Sequence, residues 1–190
     1  ILLNYIDAAD RTLGWDYDAL MYLLKKLEGE QSNFIAFVNA SSDHTPFARM
    51  PDPFNRYKHG SDTEGGYLNM LNYTDWAVGD FINKFSKRKD FGDTVFIITA
   101  DHALAHFQDD DPYGKFRIPL IIYSPKNFNP KKYELFASQI DLFPSLVELL
   151  DLKGKYSAIG KNIFKNEQSF AVVKDGALLE IFSKEGFLIH

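Results

Sequence analysis

An Asp-His pair, Asp101-His102, stands directly after the apolar run Thr94-Val95-Phe96-Ile97-Ile98-Thr99. A carboxylate and an imidazole together suit a borderline divalent ion such as Zn²⁺ or Mn²⁺. Successive side chains of an extended strand point to opposite faces. Both groups therefore reach one ion only if the strand has ended and the backbone turns there. The pair also has a purely structural reading, in which the Asp caps the following turn and the His bonds to backbone. A second candidate is His44, in the stretch Ser41-Ser42-Asp43-His44-Thr45-Pro46-Phe47. A loop imidazole, titrating near ~6.5 in ordinary surroundings, can hold a phosphate oxygen or protonate a leaving group; it serves equally as a surface residue. Asp43 beside it is either a further ligand or an Asx turn ahead of Pro46. His106 either reaches a substrate head group or sits solvated in its loop with the acidic run Asp109-Asp110-Asp111. Arg117 either approaches a phosphate or closes a salt bridge at a sheet edge.

The elements that position these residues follow from periodicity. From Asp16, Leu20, Leu23, Leu24 and Leu27 fall on one helical face, and Glu28-Gly29 supplies a stop. Phe34–Val38 is a short continuous apolar run, as expected of a strand buried on both faces of a parallel sheet. A polar stretch from Asn39 to Gly66 follows without period, and such long loops are usually functional or disordered. Tyr67–Phe85 predicts an amphipathic helix burying Leu71, Trp76, Val78, Phe81, Ile82 and Phe85. Thr94–Thr99 and Ile118–Tyr123 predict further strands. A helix over about 141–150 presents Ile140, Phe143, Leu146, Val147 and Leu150, with Asp141 as its N-cap and Pro144 tolerated in its first turn. Thr74 and Asp75 suit packing or capping. Phe170–Val173, Ala177–Phe182 and Phe187–Ile189, with a Lys174-Asp175-Gly176 turn, predict a small meander. This order predicts an α/β fold: a mostly parallel central sheet flanked by helices, with a small C-terminal antiparallel β element at about 165–190. Ligands of open α/β sheets bind beyond the carboxyl ends of strands. The loops after Val38 and Thr99 are therefore expected on one edge, bringing His44 to Asp101 and His102.

Composition narrows the classes. The 190 residues, 45% hydrophobic and 25% charged, can bury a sizeable core. A net charge of -5 provides no basic stripe for nucleic acid. The absence of cysteine excludes a disulfide scaffold and a thiolate metal site. No apolar run approaches the ~20 residues that cross a bilayer. The chain opens with Ile1, and its first strand-like run follows a helix, so residues 1–190 are expected to form a single partial domain of a longer protein.

Four segments in order carry a family resemblance: Tyr67–Lys84 (YLNMLNYTDWAVGDFINK), Thr94–His102 (TVFIITADH), Phe116–Lys126 (FRIPLIIYSPK) and Ser138–Leu150 (SQIDLFPSLVELL). With Gly160-Lys161-Asn162-Ile163-Phe164, they resemble the C-terminal half of the alkaline phosphatase/sulfatase superfamily. The SSDHTPF stretch is similar to that of lipoteichoic acid synthases and phosphoethanolamine transferases. The resemblance runs from about Leu13 onward. It implies one divalent metal, Mn or Zn (Mg or Ca if a sulfatase), with Asp101 and His102 as two of its four protein ligands. It implies that His44 contacts the substrate, and that a further acidic ligand and a nucleophilic Thr belong to the N-terminal remainder of the same chain. The implied reaction moves phosphoglycerol or phosphoethanolamine from a lipid head-group donor to an envelope glycan or lipid acceptor through a covalent Thr. The implied protein is anchored in the cytoplasmic membrane with this domain extracytoplasmic. These residues alone are then expected to be inactive. A sulfatase or phosphodiesterase hydrolase, and a degenerate non-catalytic binding domain, are the other classes. Ala103 departs from the pattern, in which most members have Gly after the Asp-His pair.

Overall fold

In a computed structural model of the chain, which describes residues 15–104, 113–165 and 170–190, helix α1 spans Asp16–Leu27. It ends where Gly29 takes a positive φ of 85°, a conformation that costs glycine little. Helix α2, Glu64–Phe85, starts three residues earlier than the apolar period predicts, because Thr63 caps it: Thr63 Oγ1 accepts from Gly66 N at 3.3 Å. Its buried line is Met70, Tyr73, Ala77, Phe81 and Phe85. The predicted stripe through Leu71, Trp76 and Val78 is rotated from this line. Trp76 instead lies half out of the protein, stacked on Tyr17 of α1 with ring centroids 4.8 Å apart.

The long polar stretch between the helices has no regular element but supplies core. Phe47 and Met50 are buried with Met70 and Tyr73, and Phe47 N donates to Ser61 O at 2.7 Å. Each such side chain removed from water contributes roughly 1.5–3 kcal/mol. Asp16, at the start of α1, is also buried. Its Oδ1 accepts from Ser41 N (3.0 Å) and Ser42 N (2.9 Å), and its Oδ2 from Thr74 Oγ1 (2.6 Å). Asp16 N in turn donates to Ser42 Oγ at 2.9 Å. One carboxyl thus ties α1, α2 and the loop carrying His44. These elements, with Ser124–Asn127, make up the first of two compact units, Ile1–Val95 and Ser124–Asn127.

The second unit comprises Phe96–Tyr123 and Phe128–His190. Strands β1 (Phe96–Thr99) and β2 (Leu120–Tyr123) pair antiparallel, Phe96 opposite Tyr123 and Thr99 opposite Leu120. Helix α3, Leu142–Leu149, follows a 3-10 turn at Gln139–Asp141. Strands β3 (Phe170–Asp175), β4 (Leu178–Ser183) and β5 (Gly186–Ile189) form an antiparallel meander around Gly176 and Gly186. Asp141 is buried but does not cap α3 with its side chain. Its Oδ2 accepts from Ser138 N (2.8 Å) and its Oδ1 from Lys161 N (2.9 Å). Ser138 Oγ donates to Val172 O and accepts from Val172 N, at 3.0 and 2.9 Å, joining the 3-10 turn to β3. Gly160 allows the Lys161 segment to come this close, since a Cβ there would stand 2.0 Å from Ile140 O.

The α/β fold class holds, but one expected pairing does not form. Phe34–Val38 belongs to no ladder, and Ile35 and Phe37 are 95% and 86% exposed. Among the described residues both sheets are antiparallel. An apolar run becomes a buried strand only when neighbours satisfy its backbone and cover its faces, and none of the described residues pairs with this one. The α3 side expected to be buried behaves likewise: Ile140, Phe143 and Leu150 are exposed.

Asp16→Ala would leave two partly buried N–H groups and a partly buried hydroxyl without these partners, at up to about 1–3 kcal/mol each before relaxation. Urea unfolding is expected to show a loss of at least ~2 kcal/mol; a loss under ~1 would mean the carboxyl does not organise the unit. Two glycines should respond in opposite directions. Gly79→Ala, in the interior of α2 with nothing within 4 Å of the added Cβ, should stabilise by roughly 0.5–1 kcal/mol. Gly160→Ala should destabilise by about 1–3 kcal/mol through overpacking.

Candidate functional site

β1 stops at Thr99, whose Oγ1 donates to Pro119 O at 2.8 Å, and the backbone bends at Asp101 and His102. The bend brings both side chains to one side. His102 Nε2 and Asp101 Oδ2 are 3.7 Å apart, and the side chains are 73% and 80% exposed. His102 N donates to Asp101 Oδ1 at 2.9 Å. His102 Nδ1 lies 2.9 Å from Ala103 O. A carbonyl only accepts, so the proton of the neutral ring sits on Nδ1 and Nε2 keeps its lone pair outward. That is the tautomer a metal-binding imidazole needs, with its other nitrogen held by an oxygen acceptor. At this separation both groups could be ligands of one divalent ion. A hard oxygen and a borderline nitrogen fit Mn²⁺ or Zn²⁺. Among the described residues no group of three or more His, Cys, Asp and Glu could hold an ion.

Ala103 does not require a glycine. Asp151 is the non-glycine residue with positive φ among the described residues, so the chain leaves the Asp-His pair through backbone that alanine adopts without strain.

Sequence reasoning missed what grips the bend. Gln139 Nε2 donates to Ala100 O at 2.9 Å and to Asp101 O at 2.8 Å. A Gln heading an SQxD helix start is a usable signal, but nothing in its spacing says which carbonyls it meets. Arg117 is exposed and immediately precedes the residues leading into β2. His106 and the acidic run Asp109–Asp111 lie outside the described residues.

His44 belongs to the first unit. Its loop is fixed on both sides, by Asp16 at Ser41 and Ser42 and by buried Phe47. His44 N donates to Ser41 O at 3.2 Å, and Nδ1 lies 2.5 Å from Thr45 O. The ring is exposed, with Nδ1 committed to an acceptor and Nε2 available. Thr74, expected in packing or capping, acts through its bond to Asp16.

The chain is 26% identical over 144 residues to an N-acetylgalactosamine-6-O-sulfatase from Bacteroides thetaiotaomicron, covering 64% of this chain and 27% of that protein. It is 27% identical over 157 residues to a phosphopentomutase from Clostridium kluyveri, covering 83% and 33%. It is 23% identical over 171 residues to a lipoteichoic acid synthase from Staphylococcus saprophyticus, covering 80% and 25%. The chain thus spans a quarter to a third of the length of these relatives. The crystal structure of an alkaline phosphatase superfamily protein from Vibrio parahaemolyticus superimposes with a TM-score of 0.79 at 24% identity, over 97% of this chain and 46% of that one. That of the lipoteichoic acid synthase LtaP from Listeria monocytogenes gives 0.72 at 21% identity, over 90% and 49%. Both establish an alkaline-phosphatase-like fold. The sulfatase family model matches residues 4–152, well over half of the chain, and the chain therefore belongs to the sulfatase family.

Proposed function

We propose that these residues form part of a metal-dependent transferase that moves a phosphoglycerol or phosphoethanolamine group from a lipid donor to a cell-envelope glycan or lipid. The observation that carries the proposal is the presentation of Asp101 Oδ2 and His102 Nε2 side by side at the end of β1. Likeness to the lipoteichoic acid synthases supports the choice of substrate class. Asp101 brings negative charge to the site and His102 a neutral nitrogen whose orientation Ala103 O maintains. A divalent ion held there, Mn²⁺ or Zn²⁺, would neutralise phosphoryl charge and lower the pKa of a hydroxyl nucleophile.

His44 is the proposed phosphate contact. With Nδ1–H directed to Thr45 O, its Nε2 donates a hydrogen bond only when the ring is cationic. The nucleophile in this proposal is a Thr hydroxyl outside these residues. Its oxygen bonds to phosphorus as it loses its proton, and the donor's lipid alcohol departs with a proton. An acceptor hydroxyl then displaces the Thr oxygen and restores it. The protein is proposed to be anchored in the cytoplasmic membrane with this part outside. Among the described residues no helix is long and apolar enough to cross a membrane, so the proposed anchor is another segment.

A hydrolase is the second reading, favoured by the likeness to the N-acetylgalactosamine-6-O-sulfatase. Incubating the full-length protein with fluorescent phosphatidylglycerol or phosphatidylethanolamine and Mn²⁺, and separately with an aryl sulfate, separates the two. Release of the diacylglycerol product without sulfate release is expected; sulfate release alone would replace the transferase with a sulfatase.

In the same protein, Asp101→Ala and His102→Ala should each abolish micromolar metal binding and lower turnover by several orders of magnitude. His44→Ala should retain the metal while losing ~10²–10³ in rate, roughly 3–4 kcal/mol. Bound metal and turnover measured on all three decide the roles. Loss of metal from the His44 variant, or unchanged metal and activity in the Asp101 variant, would show them to be wrongly assigned.

A further inference from the structure

In an extended strand, consecutive carbonyls point to opposite sides. Here two consecutive carbonyls, Ala100 O and Asp101 O, converge on one nitrogen, Nε2 of Gln139, at 2.9 and 2.8 Å. That convergence is incompatible with continued strand. It occurs at the bend where the side chains of Asp101 and His102 come to the same side. Ahead of the bend, Thr99 Oγ1 reaches Pro119 O and Ala100 O; at Asp101 and His102 themselves the other hydrogen bonds among the described residues are local, His102 N to Asp101 Oδ1 and the His102 ring to Ala103 O. With both side chains mostly in solvent, packing does not hold the bend either.

Gln139 itself is held firmly. It follows Ser138, which is locked to Val172 of β3 by two hydrogen bonds. It stands two residues before buried Asp141, which binds Ser138 N and Lys161 N. Gly160 packs its backbone against Ile140 O with no room for a side chain. The amide is thus mounted on a rigid turn, while the residues it grips lie on an exposed one.

From this we infer that Gln139 is a positioning residue: its carboxamide clamps the Ala100 and Asp101 carbonyls and pre-forms the bend that presents Asp101 and His102 to one divalent ion. The inference rests on the metal reading proposed above. It assigns to Gln139 no contact with metal or substrate. Loss of such supporting partners typically costs about 10–100-fold in metal affinity.

The test uses the full-length protein with Mn²⁺ as probe and four forms: unaltered, Asp101→Ala, Gln139→Ala and Gln139→Glu. Gln139→Glu keeps the size but sets carboxylate oxygen against two carbonyls; Gln139→Ala removes the clamp without repulsion. Calorimetric titration should show one Mn²⁺ site in the unaltered protein and none in Asp101→Ala. Both Gln139 variants should bind Mn²⁺ about 10–100-fold more weakly, with melting temperatures of the metal-free proteins close to the unaltered form. At saturating Co²⁺, their visible absorption bands should shift, which a general loss of stability would not produce. If Asp101→Ala loses the metal while either folded Gln139 variant keeps both affinity and Co²⁺ spectrum, the Gln139 assignment is wrong and the metal reading stands. If the unaltered protein binds no Mn²⁺, or Asp101→Ala binds it equally, the metal reading fails and this inference with it.

Discussion

A carboxyl group removed from water is costly unless hydrogen-bond donors replace its hydration. Asp16 in the first unit and Asp141 in the second are two such groups, and much around each is arranged to supply its donors. In the first, Asp16 draws in Ser41, Ser42 and Thr74, which fixes the loop bearing His44 against the two helices. In the second, Asp141 draws in Ser138 and Lys161 and fixes the turn bearing Gln139. Neither Asp faces solvent. The exposed polar residues His44, Asp101 and His102 lie on segments tied, directly or through Gln139, to these buried groups far away in sequence.

The division of labour has a physical basis. A group that binds an ion or a phosphate oxygen needs open approach, so it cannot be held by being packed. It is held instead through its backbone, and a backbone in a loop is held only if its N–H and C=O groups find partners. Ser41 N, Ser42 N, Ala100 O and Asp101 O are those groups here. The tautomers follow the same economy: in both histidines Nδ1 is occupied by the carbonyl of the next residue, which turns Nε2 outward.

Apolar surface is less completely arranged. Ile35, Phe37, Ile121, Phe143 and Ile159 remain more than half exposed, although several lie in runs that read as strand or helix faces. Solved structures of the same fold are about twice the length of the part matched here. Burial on both faces of a sheet is a property of neighbouring strands. A five-residue apolar run states the requirement for such neighbours without containing them.

Much of this was legible in the residues themselves. The period of Leu20, Leu23, Leu24 and Leu27 marked α1, the Lys174-Asp175-Gly176 turn marked the meander, and the ordered segments from Tyr67 to Leu150 marked the family. These signals are local: a helix period, a turn residue and a motif depend on neighbours in sequence. Asp101-His102 as a candidate pair was legible for the same reason. That Phe34–Val38 lacks a ladder, that Trp76 leans on Tyr17, and that Asp16 reaches Thr74 were not. Each depends on residues far away in sequence, or on partner strands absent among the described residues, and no periodicity encodes them. The bend at Asp101 shows the boundary most clearly. Sequence chemistry required the backbone to turn if two adjacent ligands were to serve one ion, while only the folded chain could show that the carboxamide of Gln139, 38 positions from Asp101 in sequence, grips that turn. The reason is that a hydrogen bond is decided by distance and direction in space, and residue order constrains neither at that separation.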